Sequence, residues 1–140
     1  MSAIVPRLFR VRVPGPEDGP EFREIRTFAA DAADTPMKAG LRAGVMYGLL
    51  GLPRADVERL AHLAGELTEQ MAQHVLSDTL LLVTDYDHGL ATVSVIAPAG
   101  CIGQTLAPAS LTHLEPTDRT GVISHDMGPS AYVQVGVARL

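Results

Sequence analysis

Between Pro53 and Val75 apolar residues recur every three or four positions, and no other feature of this 140-residue sequence limits its fold so tightly. Val57, Leu60, Ala61, Ala64, Leu67, Met71 and Val75 fall on one stripe of a long helix, so that stripe must lie against a core. Pro53 suits the first helical position, where its missing N–H would have had no partner anyway. His62, Glu66, Gln70 and His74 follow one another at four-residue steps on a neighbouring face, stacking into a polar column. A helix that packs along one side and carries a carboxylate, an amide and two imidazoles along another is where chemistry is to be sought.

The remaining elements are organised around that helix. Residues 8–13 alternate Phe9, Val11 and Val13 with Arg10 and Arg12, the pattern of a half-buried strand. The Pro- and Gly-rich stretch 14–20 breaks it, and a second strand resumes over 22–29, so 1–29 reads as a hairpin extension at the start of a single domain spanning 1–140. Thr35 is placed to cap a helix over 36–50, on which Met37, Leu41, Val45 and Leu49 share one face. Strands over 79–86 and 90–96 flank the turn Asp87-His88-Gly89. A final pair, 121–124 and 131–138, flanks Met127-Gly128-Pro129-Ser130. This order predicts an α/β (α+β) two-layer sandwich, with a mixed, mostly antiparallel sheet covered on one face by helices.

Composition removes several function classes. With 46% apolar residues the chain can bury a core without metals or disulfides, and its net charge of −5 disfavours nucleic acid. Arg7, Arg10, Arg12, Arg23 and Arg26 are the densest cationic set, but Glu21 and Glu24 interrupt it, so a solvated strand face is expected. No apolar run approaches the ~20 residues that span a bilayer, and the start of the chain lacks the apolar centre of a signal peptide. Cys101 is the only cysteine, which rules out an intrachain disulfide and makes a cytoplasmic location the expectation.

Glu66-Leu67-Thr68-Glu69-Gln70-Met71-Ala72-Gln73-His74 resembles the N-box helix of the GHKL (histidine-kinase-like) ATPases, in the branch of small anti-sigma-factor serine kinases, where it reads Glu-Leu-x-x-Asn-x-x-x-His. Phe28-Ala29-Ala30-Asp31, the Gly51-Leu52-Pro53 turn, Asp118-Arg119-Thr120-Gly121-Val122 and Val135-Gly136-Val137-Ala138-Arg139-Leu140 extend the resemblance over roughly residues 26–140. It implies the histidine-kinase-like form of the two-layer fold. It also implies a general-base role for Glu66, and a nucleotide pocket whose vestiges are Gln70, His74, Ala97 and Gly100. The sequence departs from the family at three places. Gln70 stands where an Asn holds magnesium, Ala97 where an Asp reads adenine, and Ala107-Pro108-Ala109 where a Gly-x-Gly turn cradles phosphate.

Those departures lead to the expectation of a degenerate member that binds a protein instead of turning over ATP. Its partner would be a sigma factor, an antagonist or a homologous kinase, in a homo- or hetero-oligomer that an added strand over 8–13 would help to form. No cofactor is then required; an active serine/threonine kinase using ATP with magnesium, or a small-ligand module reusing the old cavity, are the alternatives. His62 and Glu66 at i, i+4 supply only two ligands, so no metal site is expected. Cys101 reads as a small apolar residue, and Ser94 and Ser110 lack a nucleophile-elbow context.

Overall fold

The computed structural model describes residues 21–98, 100–102, 106–125 and 127–138. The strand expected over 8–13, and with it the first half of the hairpin over 1–29, lies outside the described residues, as does Arg139-Leu140. Within them the chain runs β1 (Phe22–Ala29), α1 (Thr35–Leu49), α2 (Arg54–His74), β2 (Val75–Leu76), β3 (Thr79–Asp87), β4 (Leu90–Ile96), β5 (Cys101–Ile102), a 3-10 turn (Pro108–Ser110), β6 (Arg119–His125) and β7 (Gly128–Gly136). Five strands form one sheet in the order β1-β3-β4-β7-β6, and β2 pairs with β5 in a separate two-stranded ladder. Every described pairing is antiparallel, so the sheet is not mixed. Strands β3 and β4, and β6 and β7, are joined by hairpins, β1 leads to β3 through the two helices, and β4 leads to β7 by way of the 3-10 turn and β6; none of these connections forces neighbouring strands to run the same way.

Period-two alternation sorts the strands into two faces. Leu80, Leu82 and Tyr86 of β3, Ala91, Val93 and Val95 of β4, and Ala131, Val133 and Val135 of β7 all point into one core beneath the helices. The β3–β4 turn is the expected one, with His88 at φ 48° and Gly89 at φ 82°, both in the left-handed region that a tight two-residue hairpin requires. The last hairpin is longer than expected: Pro129 and Ser130 belong to β7, opposite Ser124 and Ile123.

Leu60, Leu63, Ala64, Leu67, Thr68 and Met71 form the buried face of α2. The predicted stripe needs a rotation: Val57 and Ala61 are only partly covered, Leu63 joins the core, and Val75 is buried from β2. Helix α2 starts at Arg54 with Pro53 as its cap residue, and α1 starts at Thr35, whose hydroxyl donates to the Ala29 carbonyl at 2.6 Å.

Helix α1 packs against α2 through its smallest residues. A Cβ on Gly40 would sit 2.9 Å from the Ala61 carbonyl oxygen, and one on Gly65 would sit 3.2 Å from the Pro36 carbonyl oxygen. Ala39, Ala43, Met46 and Tyr47 complete the buried face of α1. The face carrying Met37, Leu41, Val45 and Leu49 therefore points away from the core, 60%, 63%, 51% and 78% exposed. Tyr47 joins the layers. Its buried hydroxyl lies 3.0 Å from the Asp85 carbonyl oxygen and 2.9 Å from that of Thr92, and accepts from the Asp85 N–H at 3.2 Å. Burial pushes its phenol far above the ordinary range, so it stays a neutral hydrogen-bonding group.

Candidate functional site

The polar column of α2 exists, and the chain's own segment 106–118 lies against it. Gln70 uses both halves of its amide on one backbone unit: Nε2 donates to the Ala107 carbonyl at 3.1 Å, and Oε1 accepts from the Ala107 N–H at 3.1 Å. The side chain thus imitates a neighbouring strand, and the methylene that distinguishes Gln from Asn is what carries the amide out to that backbone. Ser110 reinforces the turn by donating to the Ala107 carbonyl at 2.7 Å.

One turn earlier, Glu66 Oε2 accepts from the Thr112 hydroxyl and lies 3.1 Å from His113 Nδ1. The His113 ring stacks on His62 with centroids 4.5 Å apart and planes 6° from parallel. Burial pushes the Glu66 carboxyl up, but hydrogen bonds from Thr112 and His113 and the attraction of the His113 charge outweigh it, leaving the group below its ordinary value. Its other oxygen, Oε1, is buried without a hydrogen-bond partner among the described residues.

A third anchor lies a further two turns toward the start of α2. Arg59 donates through Nη1 to Asp118 Oδ2 at 2.5 Å and to the His113 carbonyl at 3.2 Å. The Asp118 side chain is 1% exposed and also accepts from the Glu115 N–H at 2.8 Å. The hydrogen bond to Asp118 raises the Arg59 pKa further above its already high value, so the guanidinium stays charged.

A hydroxyl, an imidazole and a carboxylate in mutual contact invite comparison with a nucleophile–base–acid relay, but the connectivity is different. In a relay the imidazole stands between nucleophile and carboxylate and uses a different ring nitrogen for each. Here the Thr112 hydroxyl donates directly to Glu66, and the same His113 nitrogen, Nδ1, faces both groups, 3.1 Å from the Thr112 oxygen. The hydroxyl proton has no route to the ring's far nitrogen. The arrangement is a latch for segment 106–118.

The remaining sequence-predicted positions do not join this cluster. His74 places Nδ1 2.9 Å from the Gln70 carbonyl, one turn back on its own helix. Ala97 is fully buried in the apolar core, and Gly100 closes a turn by donating to the Ala97 carbonyl at 3.0 Å. A Cβ on Gly100 would lie 3.0 Å from both the Ala97 Cβ and the Leu76 carbonyl oxygen, so this corner holds packed chain. The Cys101 side chain lies outside the described residues. Ser94 faces the side of the sheet away from the helices. Ser110, in the 3-10 turn, does reach the column, its hydroxyl 3.5 Å from Gln70 Nε2. Among the described residues no group of three or more His, Cys, Asp or Glu side chains is placed to hold a metal ion, and no helix is long and apolar enough to cross a membrane.

A groove of about 770 Å³ runs along the outside of the helix layer, on the other side of Glu66. Its walls are Met37, Leu41 and Val45 of α1 and Val57, Glu58, Glu66 and Glu69 of α2, and its floor is made by Gly40, Gly44, Ala61 and Gly65. Nothing in the spacing of the sequence announced Thr112, His113, Arg59 or Asp118 as partners of the column. The one available signal was Gln70, whose length suits it to reach across to another segment. No protein-family model matches this chain, and no curated protein matches it.

Proposed function

We propose that this protein is a histidine-kinase-like domain of the anti-sigma-factor type that works in the cytoplasm by binding protein and not by transferring phosphate. The observation that carries the reading is the outward face of α1. Four large apolar side chains at helical spacing, Met37, Leu41, Val45 and Leu49, stand more than half exposed beside an apolar groove. A contiguous apolar surface of this kind on a folded domain marks a contact for another macromolecule.

The state of the polar column supports leaving phosphoryl transfer out. A kinase reading needs Glu66 to take a proton from an incoming hydroxyl and the residue at 70 to reach a metal. Glu66 is engaged by Thr112 and His113, and Gln70 by the Ala107 backbone. Magnesium demands near-ideal octahedral geometry, which an amide committed on both its donor and acceptor sides does not offer. The two-layer architecture, with both helices on one face of an antiparallel sheet, is compatible with the resemblance carried by residues 66–74.

The test has two arms. Millimolar magnesium-ATP should leave the melting temperature unchanged, because a ligand at 100 times its dissociation constant stabilises by ~2.7 kcal/mol, a shift of several degrees for a domain of this size. A purified sigma factor should co-elute with the protein on size exclusion. An EDTA-sensitive rise in melting temperature would restore the kinase reading; failure to bind any sigma factor of the same genome would remove the anti-sigma assignment.

A further inference from the structure

We infer that His62 and Glu66 of α2 form a docking site for an arginine side chain of a protein partner, and that His113 of this chain stands in for that arginine. The site lies on α2 and not on the α1 ridge, and it rests on the protein-binding reading only in that its ligand is a protein side chain.

The stand-in fits incompletely. Glu66 offers two carboxylate oxygens, and segment 106–118 serves one of them. Oε2 faces both the Thr112 hydroxyl and His113 Nδ1, while Oε1 is buried with no hydrogen-bond partner among the described residues. A buried acceptor left without a donor favours any ligand that supplies one. An imidazole cannot serve both oxygens, because its two ring nitrogens diverge and only one of them can face the carboxylate. It is also charged only when protonated. A guanidinium carries parallel N–H groups spaced to match two carboxylate oxygens, and its charge is permanent.

His62 supplies the other half of the site. Its ring is exposed and lies parallel to that of His113, with centroids 4.5 Å apart and planes 6° from parallel. A planar group laid on His62 therefore meets Glu66 at its edge. Among cationic side chains, arginine combines a flat face that stacks on an aromatic ring with an edge that hydrogen bonds a carboxylate; the ammonium of lysine has no such face. Local charge agrees, because Glu69 lines the same groove as His62 and Glu66 and adds negative potential.

The site can be vacated while segment 106–118 stays in place. Leu111 and Leu114 pack against the core on either side of Thr112 and His113, which are both exposed. Gln70 holds Ala107 at one end and Arg59 holds Asp118 at the other. Rotation of the His113 side chain alone uncovers the face of His62 and the edge of Glu66.

Two measurements on the full chain test this. His113→Arg fills the site from within and should melt higher than both the wild type and His113→Lys, and adding Glu66→Gln should abolish the gain. His113→Ala leaves the site open, and the peptide acetyl-Ala-Arg-Ala-amide should then shift the His62 imidazole resonances saturably at millimolar concentration. The lysine peptide should bind that variant several-fold more weakly, and adding Glu66→Gln should weaken the arginine peptide about tenfold, the loss of a charged hydrogen-bond partner. His113 and Thr112 are exposed, so these changes leave the fold intact by circular dichroism. A His113→Arg chain that melts no higher than the wild type overturns the inference. So does an open site that binds no arginine peptide, that takes lysine as well as arginine, or that is indifferent to Glu66→Gln. Such a failure with a sigma factor still co-eluting would leave the protein-binding reading standing, and a chain that binds no sigma factor but passes both measurements would leave the arginine site standing.

Discussion

Glu66 shows how one side chain changes meaning with its partners. On a bare helix it is a carboxylate open to any proton donor; with Thr112 and His113 directed at it, the charged form is held and the carboxyl titrates lower than usual. A carboxyl depressed in the folded state contributes stability that is complete above the ordinary Glu pKa of about 4.3, and this is lost as pH falls below that value toward the folded pKa. Acid titration of the wild type should therefore release segment 106–118 in this range, read from the imidazole resonances of His62 and His113 as the stacked rings separate. In Glu66→Gln, which holds no charge to lose, that release should no longer depend on pH here. An unchanged acid transition in the variant would move the latch to another group. Glu66 and Gln70 were legible as a column because periodicity within one helix is local. Their partners were not, since Thr112 lies 46 residues further along the chain and such contacts leave no repeat in the sequence.

Helix α1 illustrates the same limit for whole elements. Helical spacing shows that Met37, Leu41, Val45 and Leu49 share a face, yet it does not say which way that face turns. The deciding feature was the opposite side, where Gly40 and Ala43 let α1 approach the α2 backbone more closely than larger residues would allow. Close packing over that surface fixed the orientation and left the larger residues outside. Two glycines of this helix should respond to alanine with opposite signs. Gly40→Ala drives a methyl to 2.9 Å from the Ala61 carbonyl and should cost about 1–3 kcal/mol, more than the helix propensity it gains. Gly48→Ala meets nothing within 4 Å and should stabilise by roughly 0.5–1 kcal/mol. Urea denaturation of both variants checks the pair, and equal effects would mean that α1 and α2 are further apart than described. By contrast, β1 and the β3–β4 hairpin were readable almost residue for residue, since alternation and turn chemistry are both short-range signals.

At the scale of the molecule, stability is unevenly distributed. The sheet and the inner faces of both helices share one apolar cluster; segment 106–118 joins it only through Leu106, Leu111 and Leu114 and is otherwise held to α2 by side-chain hydrogen bonds from Gln70, Glu66 and Arg59. Regions tied in this way open without the rest. Gln70→Ala removes both hydrogen bonds to the Ala107 backbone and should speed amide hydrogen exchange there by roughly ten- to a hundredfold, while strands β3 and β4 keep wild-type rates. Equal acceleration in the strands would show that the segment unfolds only with the whole domain. The Tyr47 hydroxyl belongs to the other extreme. It occupies a rung between Asp85 and Thr92, two residues paired across β3 and β4, so a group from the helix layer is built into the strand ladder itself. Mechanically this is a rivet: α1 cannot slide over the sheet without shearing a strand contact, and a load applied to the exposed side of α1 is borne by the central strands.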